Sequence, residues 1–341
     1  LEGAWKGLAQ SLCLPMQDYA WVRACAGTLA GPGELYVVVI EDGGRPVAIA
    51  PLVRRRLGAV RLRLLGLDEL FEPMDLVYGN GAALAELAGA LVRLRIPMSF
   101  RRVPAESASI DALDAASRGR GLFVSRPGSP YPRILLDSGW TRPLERLSSS
   151  RRSLLRRMRR RADAMGTVEF EILTPTRSNV TELLEEAYAV EAASWKSRNG
   201  TALSNKPAMG DFFRSYARLA CDEGILRLCF LRINGHAAAM LYAVEFKDRF
   251  WTFKIGYVEE YASCSPGNLL MEEAIRYSAV RELKSFEFLG AVEDWTRAWT
   301  RDQCECVWLR YYPIGFEGTT ALALDSARYA AGKLRTKVDR R

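Results

Sequence analysis

The chain contains a single histidine, His236, and that scarcity removes several chemistries before any motif is sought. A Ser-His-Asp or Cys-His site would have to be built on this residue, which falls in the turn-like Asn234-Gly235-His236 between two strand patterns, where an exposed side chain is expected. HExxH proteases and histidine-rich metal sites are excluded by count, and no metal is expected. GxSxG and the GxxxxGK[ST] phosphate loop are also missing, which argues against the usual esterases and P-loop hydrolases. Cys-x-x-Cys is absent too; the seven cysteines are an odd set in a chain too large to depend on disulfides, so a reduced, cytoplasmic setting is expected. Cys304 and Cys306 are expected to share a strand face as packing residues. Long apolar runs are lacking: an aliphatic run such as residues 35–40, interrupted only by Tyr36, is far short of the roughly 20 that a membrane helix needs. No charged leader followed by an apolar core is present, so secretion has no support.

What is present is an ordinary globular composition, 49% hydrophobic and 26% charged over 341 residues. A chain this long is expected to form two domains or two similar halves. The net charge of +8 is unevenly placed. Nine arginines lie between Arg142 and Asp163 against two carboxylates, and six basic residues lie between Asp325 and Arg341 against two more, leaving the remainder slightly acidic. Arginine outnumbers lysine forty to eight, a compositional bias that by itself accounts for much of this charge, and no aromatic residue is interleaved among the arginines of 151–161 to stack nucleobases.

Hydrophobic alternation predicts a meander over Leu35–Ile40, Pro46–Val53 and Val60–Leu65, and a second over Leu226–Ile233, Ala237–Phe246 and Phe250–Tyr257. Each is followed by a glycine turn into a helix, at Gly79-Asn80-Gly81 and at Ser265-Pro266-Gly267-Asn268. The hairpin glycines Gly44 and Gly235 lie 191 residues apart, and Gly79 and Gly267 lie 188 apart, which predicts an internal duplication. Between the halves, Ser148-Ser149-Ser150 caps a predicted helix whose inner stripe is Leu154, Leu155, Met158, Ala162 and Met165, with arginines on the other face. A helix predicted over Thr181–Arg198 has Leu183, Leu184, Ala187 and Tyr188 on its inner stripe, and the same wheel places Glu191, Trp195 and Arg198 there. Helices are also predicted over Asp211–Cys221 and Thr319–Val338, and strands over Phe286–Leu289 and Val307–Tyr312.

The stretch from Trp251 to Val280 carries the most chemistry. A strand passing through Ser265-Pro266-Gly267-Asn268 into a helix offers backbone N–H groups and a positive helix end to a pyrophosphate, although ordinary helix starts have the same look. On the 181–198 helix, Glu191 is a candidate base or acceptor-positioning carboxylate, or else a partner of Arg198 or Lys254. Trp195 walls a pocket or belongs to the core. Lys254, in mid-strand, lines a cleft or faces solvent. Tyr261 and Tyr277 are both candidates to protonate a leaving group, and Asp294 and Trp295 follow a strand end where α/β ligands tend to bind.

The order of strand, Asn-Gly turn, long strand, Lys-Asp turn, F-K-I-G-Y-x-E-E-Y from Phe253 to Tyr261, Ser-Pro-Gly, helix, F-E-F-L-G at 286–290 and W-x-x-x-W at 295–299 resembles the GNAT-superfamily acyltransferases of the CelD-like, FemAB-related group. The likeness runs over 150–315 and more faintly over 1–140, where W-x-x-L, V-A-I-A-P-L and L-G-L-D are similar to that group's N-terminal half. It implies an α/β (α+β) fold of two GNAT-like halves, each a mixed, meander-rich sheet flanked by helices. The expected divisions are an N-terminal half at 1–140, a basic connecting helix at 141–165, a catalytic half at 166–315 and a basic helix or tail at 316–341. The resemblance implies an acyl-CoA donor, acetyl-CoA first, held by Phe253, Ile255, Gly256, Ser265, Pro266, Gly267, Asn268 and Leu269. Glu191, Lys254, Tyr261 and Asp294 stand as the catalytic candidates, and Trp195, Arg198, Trp295 and Arg297 as acceptor-binding ones. Three positions depart from the family pattern: only one glycine stands in the donor turn, Val258 replaces an acidic residue, and Thr296 stands where a lysine is expected, leaving Arg297 to replace it.

The expected activity is N-acylation of a small amine or an amino-sugar or polysaccharide-precursor acceptor, with the N-terminal half a degenerate copy supplying acceptor contacts. A FemAB-like aminoacyl-tRNA donor is the first alternative, with tRNA meeting the Arg151–Arg161 face; the chain has no long heptad insertion of the kind many such transferases carry. A non-catalytic polyanion-binding module using the same arginines is the second. Oligomeric state is not fixed by any of these features.

Overall fold

The computed structural model describes residues 2–9, 13–194 and 207–338. Among them, fourteen strands form two seven-stranded mixed sheets flanked by helices, as the sequence predicts. The chain divides into two compact units, residues 1–129 with 305–341, and residues 130–304. The expected divisions were at 140, 165 and 315. The contacts instead place the basic helix of 149–165 within the second unit, and return the strand at 306–313 to the first.

In the first unit β1 (Leu35–Asp42), β2 (Arg45–Leu57) and β3 (Ala59–Leu64) form the predicted meander, with the short β4 (Val77–Tyr78) paired to β2. The Gly43-Gly44 turn joins β1 to β2 with φ of +56° and +76°, the paired left-handed geometry of a tight hairpin that glycine adopts without strain. β5 (Met98–Pro104) lies parallel to β3, and the late strand β14 (Cys306–Pro313) enters between β5 and β6 (Gly121–Pro127). Among the described residues, the helices of eight residues or more in this unit are α1 (Glu2–Ala9), α2 (Tyr19–Thr28), α3 (Gly81–Arg93), α4 (Ala108–Ser117) and, last in the chain, Phe316–Val338.

The second unit repeats the plan. β8 (Val168–Leu173), β9 (Leu226–Ile233), β10 (His236–Phe246) and β11 (Arg249–Tyr257) run antiparallel in sequence order, and β12 (Ser285–Glu287) is parallel to β11. Beyond β12 lie β7 (Tyr131–Leu135) and β13 (Gln303–Cys304), so here too the parallel strand is followed by an antiparallel one from a distant part of the sequence. Cys304 and Cys306 therefore sit on different strands of different sheets, not on one strand face, because the chain changes sheets at residue 305.

Among the described residues, the longer helices that flank this second sheet are α5 (Ser149–Met165), α6 (Val180–Ala192), α7 (Pro207–Asp222) and α8 (Pro266–Val280). The terminal helix Phe316–Val338 becomes α9. Leu155 and Ala162 of α5, Leu270, Ala274 and Ile275 of α8, and Leu241, Phe250 and Phe286 of the strands share one buried cluster. Phe250 and Phe286 stack at 5.2 Å across the parallel pair. Met165, expected inside, is exposed because α5 ends at that residue. The helix predicted over 181–198 runs to Ala192, and the part of that prediction from Trp195 onward lies outside the described residues. His236 is exposed, as its turn position predicts.

Candidate active site

The parallel pairing of β11 with β12 lasts three residues, Arg249 to Trp251 against Ser285 to Glu287, and then stops. β11 continues to Tyr257 beside β10 alone, so its edge beyond Trp251 faces a fork. Thr252 sits at the crotch, its hydroxyl donating to the carbonyls of Glu287 and Phe288 at 3.1 and 2.9 Å. Opposite, the β10 register skips one residue between Tyr242 and Ala243, making Phe253 the extra residue of a β-bulge. The bulge puts Phe253 into an aromatic nest with Phe213, Tyr216 and Tyr242, at centroid distances of 6.3, 5.9 and 6.2 Å.

Past the bulge the two faces of β11 diverge in character. Ile255 and Tyr257 point toward α8, where a Cβ placed on Gly267 would meet them at 3.6–3.9 Å, ordinary contact. Gly256 points the other way, onto α6: a Cβ there would lie 2.9 Å from the Cα of Glu191 and 3.3 Å from its Cβ. Glu191 is 2% exposed. Lys254, two residues from Gly256 and on the same face, is half-buried with its ammonium 4.9 Å from the Phe213 ring centroid.

The donor turn is built from strain and dipole. Ser265 has φ +46°, ψ +59°, a left-handed conformation uncommon for a residue with a side chain, and Pro266 follows at the first helical position. No side chain caps α8. The contrast with α3 is informative: there the Asn80 side chain accepts from the Ala83 N–H at 3.0 Å and closes the same end of the equivalent helix. The helix start in the N-terminal half is thus capped by its own side chain, while that of α8 has no side-chain cap.

Helix α5 supplies a cation to that end. Arg151 donates to the Asn268 side chain at 2.7 Å, and its guanidinium lies 5.2 Å from the Trp299 ring centroid. Its Nε is buried without a hydrogen-bond partner among the described residues. Desolvation pulls its pKa down, partly opposed by the charge of Glu272. Arg161 donates to the Ser263 carbonyl at 3.0 Å, tying α5 to the 3-10 turn Glu259–Cys264. The sequence singles out Arg151 only as one end of the Arg151–Arg161 face, not as a neighbour of Asn268. Its one local signal was its position a helical turn before Leu155, on the inner stripe of α5.

Glu287 was missed. It is fully buried where the fork opens, with Ser285 donating to one carboxylate oxygen at 2.5 Å and Arg249 at 3.6 Å. Its other oxygen has no partner among the described residues, and neither has Nε of Arg133, the residue paired with it on β7. Burial raises this carboxyl pKa, against the hydrogen bond from Ser285 and the two arginines.

The remaining candidates divide. Tyr261 is half-buried in the 3-10 turn, next to the donor loop and packed on the core of this unit, whereas the Tyr277 hydroxyl, farther along α8, is engaged by Glu245 at 3.3 Å and Arg227 at 3.4 Å. Trp295 packs on Phe288 at 6.0 Å, and its indole donates to Glu293 at 2.9 Å. Asp294 and Arg297 pair with each other at 3.2 Å on an exposed helical turn, with Asp294 99% exposed. A short turn with both ends in solvent satisfies its own charges locally. Trp195 and Arg198 lie outside the described residues.

Residues 149–297 match the family model described as an acetyltransferase (GNAT) domain. The chain carries a GNAT acyltransferase domain. It is therefore a transferase, and the domain begins at α5, the helix that bears Arg151. The whole chain shares its fold with FemX, at TM-score 0.61 and 10% identity over 91% of this chain and 96% of that one. L-PGS from Bacillus licheniformis matches at 0.55 and 11% identity, over 92% and 96%. A conserved protein of unknown function from Bacteroides thetaiotaomicron matches at 0.55 and 12%, over 86% and 90%. No curated protein sequence matches the chain. Among the described residues, no helix of the GNAT domain or of the first unit is long and apolar enough to cross a membrane.

Proposed function

We propose that the chain transfers an acyl group, acetyl first, from acyl-CoA to the amine of a small-molecule or glycan-precursor acceptor. The observation that carries this reading is the open N-terminus of α8 faced by Arg151, whose Nε lacks a partner. A pyrophosphate there would receive the helix-end N–H groups and a charge-assisted bond from Arg151, the combination that anion sites on helices use. Phe253, Ile255 and Gly256 then border the arm of the donor. A thioester lying in the fork takes the place of the missing strand, with its carbonyl oxygen accepting from a β11 peptide N–H. Glu191 is the proposed acceptor-positioning carboxylate or base, and Lys254 its neighbour on the same face. Tyr261, beside the donor turn, is preferred over Tyr277 for protonating the thiolate, since the Tyr277 hydroxyl is already engaged.

A second reading has its own observation. Arg152, Arg156, Arg157 and Arg160 line the outer side of α5, and among the described residues none of them has a carboxylate within ion-pair distance. Such a row suits an aminoacyl-tRNA donor, and the fold shared with FemX is compatible with one. Titration with desulfo-CoA, acetyl-CoA and charged tRNA at two salt concentrations separates the two. Binding of desulfo-CoA that persists at moderate salt and is lost in Gly267→Trp supports the first reading. Binding of tRNA alone, falling steeply with salt, supports the second.

A further inference from the structure

The first unit holds a cluster of arginines that the transferase reading does not use. On β5 the register with β14 shifts between Val307 and Leu309, so Arg101 and Arg102 together oppose Trp308. Arg102 takes a left-handed φ of +51° and turns inward, where it is 1% exposed over the Phe71 ring. The bulge thereby leaves Arg101 on the opposite face, beside Trp308. The Arg101 guanidinium stands 4.3 Å from the Trp308 ring centroid and that of Arg310 stands 3.7 Å from it. The indole is itself fixed, donating to the Ser99 hydroxyl at 2.9 Å. On the other neighbouring strand, Arg126 is the register partner of Trp308.

The charges facing this side of the sheet do not balance. On β2, Arg55 is matched by Glu34 and Glu69. On β3, Arg63 pairs with Asp68 at 2.7 Å, and Arg61 shares Asp325 with Arg310, at 2.7 and 3.2 Å. Arg101 and Arg126 are left with ring contacts alone, to Trp308 and Tyr329, and no carboxylate within ion-pair distance among the described residues. Six arginines thus face four carboxylates, and the two left over, Arg101 and Arg126, stand on the strands either side of Trp308. Arg101 is also half-buried, and desolvation depresses its pKa, with Arg63 and Arg310 adding repulsion against the charges of Asp68 and Asp325. Guanidiniums held together without anions are unfavourable unless a ligand supplies the charge.

We propose that Arg101, Arg126 and Arg310, gathered round Trp308, bind the phosphate group of a small molecule as its dianion. Three guanidiniums offer the forked donors that a phosphate oxygen set accepts, and a dianion cancels the local excess. Because both nearby guanidiniums already lie over the indole, the ligand meets their outer edges, and the site reads charge more than the organic group attached to it.

Isothermal titration of the full chain with inorganic phosphate and with phenyl phosphate, in chloride buffer, tests this, with desulfo-CoA as the probe of the α8 site. The expected result is one phosphate site, weakened at least tenfold by Arg101→Gln and also weakened by Arg126→Gln, an exposed position where folding is not at stake. Arg151→Gln should leave that site unchanged, and Arg101→Gln should leave desulfo-CoA binding unchanged. Phenyl phosphate binding as well as or better than inorganic phosphate identifies a monoester as the class of ligand; a preference for inorganic phosphate identifies the free ion. The proposal is overturned if the parent chain binds neither phosphate, if both arginine variants bind like the parent, or if phosphate binding follows Arg151.

Discussion

Gly256 of β11 and Glu191 of α6 pack so closely that a Cβ on the glycine would stand 2.9 Å from the Cα of the glutamate. The contact is with backbone, so it cannot be relieved by swinging a side chain aside. It fixes the height of Glu191 against the strand that borders the fork.

Gly256→Ala should therefore cost about 1–3 kcal/mol, as overpacking does, read as a lower urea midpoint at unchanged slope. It should also reduce kcat/KM at concentrations of denaturant where the variant is still folded, because Glu191 is displaced. Truncating the carboxylate in a Gly256→Ala, Glu191→Ala double variant should restore neither quantity. Glu191→Gln should keep the fold and lower kcat by roughly 100-fold or more, the range for loss of a positioned base. Wild-type turnover by Glu191→Gln would remove this residue from the mechanism.

Arg151 should be felt in donor binding. Losing a charge-assisted hydrogen bond is worth about 1.5–3 kcal/mol, so Arg151→Gln should weaken desulfo-CoA binding by roughly tenfold to a hundredfold. Gly267→Ala should be nearly silent, since its added Cβ meets Ile255 at 3.6 Å, whereas a bulkier residue should block the donor. Calorimetry on the three variants checks the ordering. Equal affinities would place the pyrophosphate elsewhere.

The halves of this fold were legible because each is a run of alternating strands closed by glycine turns, at Gly44 and Gly235, and each leads into a helix start. The turn at 265–268 into α8 was legible for the same reason. The exchange of strands was not: β7 and β14 are short apolar runs whose partners lie more than a hundred residues away, and no local periodicity records which sheet a strand joins. The contact of Arg151 with the 265–268 turn escaped for a related reason, since its partner Asn268 is 117 positions on. Glu287 reads in sequence as the polar member of an alternating F-E-F strand, a pattern that ordinarily faces solvent; only the sheet order buries it. Asp294 and Arg297, a short acidic-basic segment after a strand end, pair with each other in solvent, a contact that their i,i+3 spacing makes legible.

Glu287 gives the stability a pH signature. Burial raises its carboxyl pKa above the unfolded value, so the folded chain holds a proton that the unfolded chain has released. Stability from this group is present below the ordinary glutamate range and is lost as pH rises through the raised value. Asp75, raised by burial as well, acts with the same sign in the first unit. Glu287→Gln cannot ionise, so its urea midpoint should vary less with pH between about 4.3 and 7 than that of the parent. Parallel curves for the two proteins would show that Glu287 ionises freely.

Asp325 works in the opposite sense. Burial alone would raise its pKa, but hydrogen bonds from Tyr312 and Arg61, both 2.7 Å long, together with the charges of Arg61 and Arg310, hold it below the ordinary aspartate value. The stability it brings is therefore present above the unfolded pKa and is lost as pH falls through the lowered one. Arg61 is 3% exposed and also donates to the Ala321 carbonyl at 3.0 Å, so this pair fastens α9 to β3. Asp325→Ala strands a buried guanidinium and should cost about 3–5 kcal/mol. Replacing both partners with apolar residues, in Arg61→Met with Asp325→Leu, should recover most of that loss. Because Arg310 leans on the same carboxylate, the double variant also separates stability from the proposed phosphate site: unfolding should return toward the parent while phosphate binding tightens, since one competing anion has been removed from the Trp308 cluster. Unfolding followed by urea with phosphate titration on the same preparation would decide it, and a double variant as unstable as Asp325→Ala would show that the helix is held by packing at Ala321 and not by the ion pair.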